Sequence, residues 1–336
     1  MWIEASAPSN IALIKYMGKT DAASNRPTNV SISYTLDELK TFVRLQKSQS
    51  LTEDTWAPLV RTDLMPIELT EKSRQKFIQF FHVLKKEFRL KDFYQIESAN
   101  NFPSDCGLAS SASSFAALTK CAHEVYLNQS HGSAMKVHPY TAKELSKFSQ
   151  KGSGSSCRSF FSPWGLWHEN GAEEIKLNIS DLKHMVILCD ESVKTVSSSA
   201  AHQKVLTSDL FKGRPERANL RFQELVNHMR KTDATDHANW KNIFHICWNE
   251  FWDMHTLFHT SKPPFMYMNG PSQKALADIL NFWEKAADGP IVTMDAGSNI
   301  HLLFRGSDQS DLLEEYHKYF INDFNLWVKN GYQKRA

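Results

Sequence analysis

The stretch Asn101–Ser114, NFPSDCGLASSASS, constrains the fold more than any other part of this chain. An apolar segment typical of a strand, 93–97, precedes it, and Phe115 opens a run with apolar residues at helical spacing. A glycine between a strand and a helix allows the backbone to approach a ligand closely, and the N–H groups of a helix start attract anions. The sequence therefore predicts a phosphate-binding turn, and the turn alone leaves a serine-rich helix cap open as the alternative.

The remaining pattern predicts an α+β fold, because strands and helices alternate irregularly along the chain. At about 150 residues per domain, the chain is long enough for two lobes. We place their boundary at the apolar strand 184–190, which gives lobes 1–184 and 185–336. The strands are predicted at 11–14, 30–34, 93–97 and 184–190, and the helices at 70–88, at 115–125, from Pro215, at 239–259, after Pro271 and at 308–320.

The composition of the chain limits the kinds of partner and compartment that we expect for it. The net charge is +2 with no run of five like charges, which argues against a nucleic-acid-binding protein. No stretch approaches the roughly 20 apolar residues of a membrane helix. The five cysteines are widely spaced and form no CxxC motif, so free thiols and a cytoplasmic location are expected.

A second glycine-serine segment, KGSGSSCRSFF, contains Ser153, Gly154 and Ser155 shortly before Arg158. Several N–H donors beside one guanidinium suit the bidentate capture of a carboxylate or phosphate. The segment therefore predicts an anion site rather than a flexible linker.

Three other features are ambiguous from the residues alone. Lys15 and Lys19 in APSNIALIKYMGKTD have the spacing of a solvated lysine pair. Asp295, at the turn of a predicted hairpin in GPIVTMDAGSNIHLLFRG, could orient or deprotonate a hydroxyl, although a turn aspartate is the simpler interpretation. His255 and His259 have the spacing of a metal pair, but HExxH is absent, so we expect a structural role.

Taken in order, the motifs APxNIAxIKYxGK, PxxxGLASSA, GSGSxCRS and DAGxN resemble those of the diphosphomevalonate decarboxylases. This family belongs to the superfamily of small-molecule kinases that includes galactokinase, homoserine kinase and mevalonate kinase. The glycine turn alone would indicate only the superfamily, whereas the other three motifs are much more specific. The resemblance extends from about residue 5 to residue 305.

The resemblance implies a two-lobed kinase-superfamily fold. The N-terminal lobe, 1–184, would bind nucleotide and substrate with a mixed sheet and helices. The C-terminal lobe, 185–336, would complete the cleft with a ferredoxin-like sheet and helices. The implied reaction is ATP-dependent decarboxylation of mevalonate 5-diphosphate to isopentenyl diphosphate, with release of ADP, phosphate and carbon dioxide. ATP and Mg²⁺ are the implied cofactors, and the implied assembly is a homodimer.

The resemblance also implies roles for individual residues. Asp295 would face the tertiary hydroxyl of the substrate, Arg158 would pair with the substrate carboxylate, and Lys19 would be the third catalytic group. The other substrate contacts implied are Tyr16, Ser153, Gly154, Ser155 and Ser198. The turn expected to hold the ATP phosphates comprises Gly107, Leu108, Ala109, Ser110, Ser111, Ala112 and Ser113, with Ser113 as the candidate Mg²⁺ contact.

The chain departs from the family pattern at several positions. Asp105 and Cys106 replace two alanines ahead of the turn glycine, and we expect Asp105 to point away from the phosphates or towards Mg²⁺. In VSSSAAHQ, Ala201 and His202 replace a usual glycine-methionine pair. Ser199 stands where some members have an arginine that would help to hold the diphosphate.

These departures leave alternatives open. The first is a decarboxylase of the monophosphate, the second a kinase of the 3-hydroxyl that does not decarboxylate, and the third a non-catalytic nucleotide-binding protein. Retention of Lys19, Arg158 and Asp295 favours decarboxylation over the kinase and the non-catalytic protein, whereas Ser199 leaves the choice between monophosphate and diphosphate open.

Overall fold

A computed structural model describes most of the chain. The described residues are 1–21, 24–103, 110–130, 139–192, 194–231, 236–306, 308–328 and 331–335. Within these ranges, no helix has the length and apolar character needed to cross a membrane.

The first half is organised around a sheet in which strand β4 is central. Its strand order is β5-β7-β4-β8-β9, with β1 also paired to β4 and β6 paired to β7; β5 and β7 are parallel and the other pairs antiparallel. A separate two-stranded ribbon joins β2 and β3. The strands are β1 (Trp2–Ile14), β2 (Lys19–Asp21), β3 (Arg26–Pro27), β4 (Ser31–Ser48), β5 (Thr55–Pro58), β6 (Met65–Pro66), β7 (Phe93–Asn100), β8 (Trp164–His168) and β9 (Gly171–Glu174).

Helices of the first half pack into one apolar cluster with β1, β4 and β7. The helices are α1 (Glu71–Glu87), α2 (Ser110–Ser130) and α3 (Ala142–Gly152). In α1, the Thr70 side chain caps the helix start by accepting a hydrogen bond from the Ser73 amide. The predicted apolar face of this helix is confirmed, because Phe77, Phe81 and Leu84 are buried.

The second half contains an antiparallel sheet with the strand order β11-β12-β10-β13-β14. The strands are β10 (Leu182–Leu188), β11 (Ile291–Thr293), β12 (Ile300–Arg305), β13 (Asn325–Val328) and β14 (Gly331–Gln333). The helices are α4 (Ser198–Lys204), α5 (Arg214–Lys231), α6 (His237–His259), α7 (Gly270–Ala286) and α8 (Ser310–Phe320).

The expected α+β class is therefore confirmed, as is the hairpin, whose strands are β11 and β12. The predicted strands 11–14 and 30–34 are only parts of β1 and β4, which have 13 and 18 residues. The outer part of β4 alternates between buried and partly exposed positions, and residues 2–6 of β1 are all at least partly exposed, so neither part has the continuous apolar run that marked the inner parts.

The largest apolar cluster contains residues from both halves. Ile11 and Ile14 of β1 pack in the same cluster as Val186 of β10, Ile243 of α6 and Leu302 of β12. This shared core brings the end of β1 against the turn of the late hairpin.

Candidate active site

The site centres on Lys15, which follows β1, and Asp295, which follows β11. The Lys15 ammonium Nζ lies 2.7 Å from the Asp295 carboxylate Oδ1. The lysine side chain is 2% exposed and the aspartate side chain is 30% exposed, so one group is enclosed while the other faces solvent. The pair presents a carboxylate to the cleft with a fixed cation behind it.

Electrostatics keep this carboxylate ionised. Burial by itself would raise the pKa of Asp295, but Lys15, with smaller effects from His301 and Lys194, lowers it below the usual value. Burial likewise lowers the pKa of Lys15, and Asp295 opposes that change. The carboxylate is thus anionic at neutral pH and available to accept a proton or a hydrogen bond.

Backbone contacts hold Lys15 in place. Its amide N–H donates to Glu250 Oε1 at 2.9 Å, and its carbonyl accepts from Asn29 Nδ2 at 3.0 Å. The interpretation of Lys15 and Lys19 as a solvated pair is wrong for Lys15, because the chain buries it at the end of an apolar strand. The signal in the sequence was its position directly after the apolar run 11–14.

Arg158 lies in a 3-10 segment, Gly154–Phe160, and is almost fully buried. Its Nη1 donates to Ser31 Oγ at 2.7 Å and its Nε to Ser33 Oγ at 3.0 Å. Among the described residues, Nη2 has no hydrogen-bond partner. The guanidinium is therefore held through Nε and Nη1, and Nη2 is left to bind a ligand.

Arg158 and Asp295 share one electrostatic environment. Burial lowers the pKa of Arg158, whereas Cys157 and Asp295 raise it. The charge on Arg158 in turn contributes to the lowered pKa of Lys15. The structure thus brings together the late-hairpin carboxylate and the guanidinium of the glycine-serine segment.

Tyr16 and Lys19 lie beside this centre and share Asn25 as a partner. The Tyr16 hydroxyl donates to the Asn25 carbonyl at 3.2 Å, and Lys19 Nζ donates to Asn25 Oδ1 at 2.6 Å. Asn25 has φ of 56°, and its own amide donates to the carbonyls of Gln150 and Lys151. Lys19 therefore has a neutral partner, unlike Lys15, and no carboxylate of the described residues forms an ion pair with it.

The glycine-serine segment closes over Tyr16. A Cβ on Gly154 would lie 2.7 Å from Tyr16 Cε1 and 2.8 Å from Trp167 Cη2, so only glycine fits there. Ser153 and Ser155 are partly exposed, with their hydroxyl oxygens 3.5 Å apart. Both residues are thus partly accessible on either side of Gly154.

The predicted phosphate turn is described only in part. Residues 107–109 lie outside the described residues, as do Asp105 and Cys106, so their predicted roles stay predictions. Ser111 is exposed at the start of α2, whereas Ala112 and Ser113 are fully buried. Ser113 Oγ lies 2.6 Å from Thr41 Oγ1 and 3.1 Å from the Ser110 carbonyl, which leaves Ser111 as the more accessible hydroxyl.

The remaining residues singled out in the sequence lie on α4 and α6. Ser198 is exposed at the first position of α4. His255 is fully buried, and its Nε2 donates to the Asp295 carbonyl at 3.0 Å, while His259 is exposed at the end of α6. Within the described ranges, no three histidine, cysteine, aspartate or glutamate side chains cluster as metal ligands.

The arrangement therefore combines an ionised carboxylate, a buried guanidinium whose Nη2 is unpaired among the described residues, and a lysine that bonds the neutral Asn25 amide. Such a set can orient a hydroxyl for attack on phosphorus while binding a second anionic group of the same molecule.

Comparisons with known proteins agree on one family. The model of the diphosphomevalonate decarboxylase-like N-terminal domain matches residues 7–176, and that of the mevalonate 5-diphosphate decarboxylase C-terminal domain matches residues 184–334. The diphosphomevalonate decarboxylase of Debaryomyces hansenii is 31% identical over 344 residues, which cover 94% of this chain and 82% of that protein.

Two solved structures are similar over nearly the whole chain. A mevalonate diphosphate decarboxylase from Legionella pneumophila has 41% identity and a TM-score of 0.87, covering 97% of this chain and 100% of that one. A structure named MDDEF in complex with MVAPP, AMPPCP and magnesium has 27% identity and a TM-score of 0.80, covering 95% and 93%.

Proposed function

Because the chain belongs to the diphosphomevalonate decarboxylase family, we propose that it converts mevalonate 5-diphosphate and ATP to isopentenyl diphosphate, ADP, phosphate and carbon dioxide. The observation that carries the proposal is the Lys15–Asp295 pair within electrostatic reach of the buried Arg158. It supports a proposal in which Asp295 accepts the proton and Arg158 binds the carboxylate of the substrate.

In the first step, Asp295 accepts a hydrogen bond from the tertiary hydroxyl and takes its proton as the oxygen attacks the γ-phosphorus of ATP. Lys15 holds the carboxylate ionised and in one orientation, since its ammonium lies 2.7 Å away. The products of this step are ADP and a tertiary phosphate ester.

In the second step, the carbon–oxygen bond of that ester breaks and phosphate leaves. The tertiary carbon gains positive character, and the carbon–carbon bond to the carboxylate breaks to release carbon dioxide. The electron pair of that bond forms the alkene. Arg158 orients the carboxylate through Nη2, but it must not stabilise the bound carboxylate more than the transition state in which that charge disappears.

Binding the phosphate groups of ATP and of the substrate requires cations and N–H donors. The start of α2 is assigned to the ATP phosphates, and Tyr16, Lys19, Ser153, Gly154, Ser155 and Ser198 to the substrate. Mg²⁺ fits this site as a companion of ATP, because it keeps several waters, binds phosphate oxygens and needs few protein ligands. When bound, it would neutralise charge on the phosphates, with the exposed Ser111 hydroxyl the accessible protein oxygen at the start of α2.

The proposal also includes a homodimer and a cytoplasmic location. The magnesium assignment has support from the related structure whose name includes MVAPP, AMPPCP and magnesium.

Incubation with ATP and Mg²⁺ tests the function. We expect mevalonate 5-diphosphate to yield ADP and carbon dioxide in equal amounts, and the 5-monophosphate to yield neither at a comparable rate. ADP without carbon dioxide would instead identify a 3-hydroxyl kinase, and carbon dioxide from the monophosphate would identify a monophosphate decarboxylase. Nucleotide binding without turnover of either compound would identify a non-catalytic protein.

Replacement of the carboxylate tests the mechanism. Asp295→Ala should lower kcat by roughly 10²–10⁴-fold and change KM much less, because the carboxylate acts mainly in the transition state. Steady-state kinetics with both substrates measure this. A loss confined to KM would contradict the role of Asp295.

A further inference from the structure

His202 is a buried polar residue on α4 that the mechanism above does not use. It is 7% exposed, and its ring centroid lies 4.3 Å from that of Tyr16. It is one helical turn after Ser198, so both side chains lie on the same side of α4. His202 therefore packs directly beside a residue assigned to substrate binding.

One hydrogen bond fixes the protonation state of this ring. The amide N–H of Gly18 donates to His202 Nδ1 at 3.0 Å. A backbone amide can only donate, so Nδ1 must be the unprotonated acceptor and the neutral ring must have its proton on Nε2. Burial, with further effects from Lys19 and Lys76, lowers the pKa of His202 to about 3, which agrees with a neutral ring.

The Nε2–H group is left available. Among the described residues, Nε2 has no hydrogen-bond partner, and it is not one of their fully enclosed, unpartnered polar atoms. A buried ring with one nitrogen anchored and the other free is oriented to donate to a ligand in the cleft.

The surrounding charge indicates what that ligand is. Burial and the nearby Lys76 lower the pKa of Lys19, and desolvation lowers that of Lys76. Within the described part of the chain, neither lysine forms an ion pair with a carboxylate. Two uncompensated cations beside a neutral N–H donor form a site for a polyanion.

We propose that the Nε2–H of His202 donates a hydrogen bond to a phosphate oxygen of the substrate's diphosphate group, beside Lys19 and Lys76. This inference rests on the proposed function and extends it by naming a binding residue for the diphosphate end. Ser199, where some relatives have an arginine, supplies no cation, and His202 supplies a donor to the same group from the neighbouring turn of α4.

Two substitutions separate ligand binding from a merely structural role. Asparagine places a carbonyl oxygen where Nδ1 accepts from Gly18 but has no group at the ε position. Glutamine places an amide N–H₂ near the ε position but loses the acceptor at the δ position. If His202 donates to the ligand, binding should be retained in His202→Gln and weakened in His202→Asn. If His202 only accepts from the Gly18 amide, binding should be weakened in His202→Gln and retained in His202→Asn.

We expect His202→Asn to raise the KM for mevalonate 5-diphosphate by roughly ten- to a hundred-fold, the loss typical of a hydrogen bond to a charged group. His202→Gln should change it by only a few-fold, and neither variant should change the KM for ATP appreciably. His202→Met, which lacks both polar functions, should resemble the asparagine variant. The exposed His245 on α6 provides the matched control, and His245→Asn should leave the kinetics unchanged.

Calorimetric titration with inorganic pyrophosphate gives a readout that does not require turnover. We expect weaker pyrophosphate binding in His202→Asn than in His202→Gln, with melting temperatures confirming that both variants fold. Weaker binding in His202→Gln than in His202→Asn, or equal affinity in both, would overturn the inference. Absence of turnover by the unmodified protein, with the expected order of pyrophosphate affinities retained, would overturn the proposed function and leave the role of His202 supported.

Discussion

At the scale of single residues, the chemistry depends on which lysine faces the carboxylate. Two lysines four positions apart in one motif have different environments: Lys15 contacts Asp295, and Lys19 contacts a neutral amide. Their spacing did not distinguish them, and the family resemblance assigned a role to Lys19 alone, because spacing reports nothing about a partner 280 positions away. Their separation into an electrostatic support and a binding group follows from the fold.

Removal of Lys15 should change the pH dependence of catalysis. Burial raises the pKa of Asp295 and Lys15 lowers it, so Lys15→Met should raise the pKa of this carboxyl. Because Asp295 acts in its ionised form, the acid limb of kcat/KM should move to higher pH and activity near pH 7 should fall. A pH–rate profile measures the shift.

Lys19→Met is the matched control for that experiment. It should raise KM for the substrate and leave the acid limb in place, since Lys19 Nζ bonds Asn25 rather than Asp295. An acid limb unchanged in Lys15→Met would show that Lys15 does not set the ionisation of Asp295.

Gly154 illustrates a packing constraint at the same scale. In Gly154→Ala the added methyl group would meet the rings of Tyr16 and Trp167, so the free energy of unfolding should fall by about 1–3 kcal/mol and substrate KM should rise. Gly270→Ala, where a Cβ meets no atom within 4 Å, should leave both quantities nearly unchanged. Denaturant unfolding and kinetics together check this, and equal effects in the two variants would contradict it.

At the scale of elements, α5 and α6 are joined by a buried ion network that supports the site. Arg214 and Glu250 are both fully buried, and Arg214 Nη1 donates to Glu250 Oε2 at 3.0 Å. Arg221 Nη1 also donates to Glu250, at 2.8 Å. Since Glu250 accepts a hydrogen bond from the Lys15 amide as well, the network fixes Lys15, which lies behind the Asp295 carboxylate.

Disruption of this network should be costly. Arg214→Leu leaves part of the charge on Glu250 buried without its closest partner, so the free energy of unfolding should fall by about 3–5 kcal/mol. Lys262→Ala, which removes an exposed pair with Asp209, should produce little measurable change. Urea unfolding of both variants measures the difference, and a loss in Arg214→Leu no larger than that in the control would contradict the structural role of the pair.

The elements themselves were largely predictable from the sequence. Apolar residues at helical spacing predicted α1. The helix α6 was predicted at 239–259 and is found at 237–259. The site was predictable to the extent that motifs implied it: Arg158 and Asp295 do share one electrostatic environment. Lys15, Glu250 and His202 were not identified, because each acts through contacts with residues from distant parts of the chain.

At the scale of the whole molecule, the two halves share their largest apolar core. Strand β1 contributes Ile11 and Ile14 to a cluster otherwise built mainly from the second sheet and its helices. Polar contacts cross in the same place, since Lys15 bonds both Glu250 and Asp295. The two halves are thus joined where the reaction is proposed to occur.

This arrangement predicts one cooperative unfolding transition. Neither half can unfold without exposing apolar surface of the other, so the calorimetric and van't Hoff enthalpies should agree. Differential scanning calorimetry tests this directly. Two separated transitions, one for each half, would show that the shared core contributes little coupling.

The pairing of Lys15 with Asp295 also bears on protein synthesis. The ribosome adds Lys15 early in synthesis and adds Asp295 280 positions later. Under the proposed mechanism, a chain released before residue 295 has the turn assigned to ATP but lacks the acceptor for the hydroxyl proton. Under that mechanism, the fragments produced by interrupted translation cannot transfer the γ-phosphoryl group of ATP to the substrate.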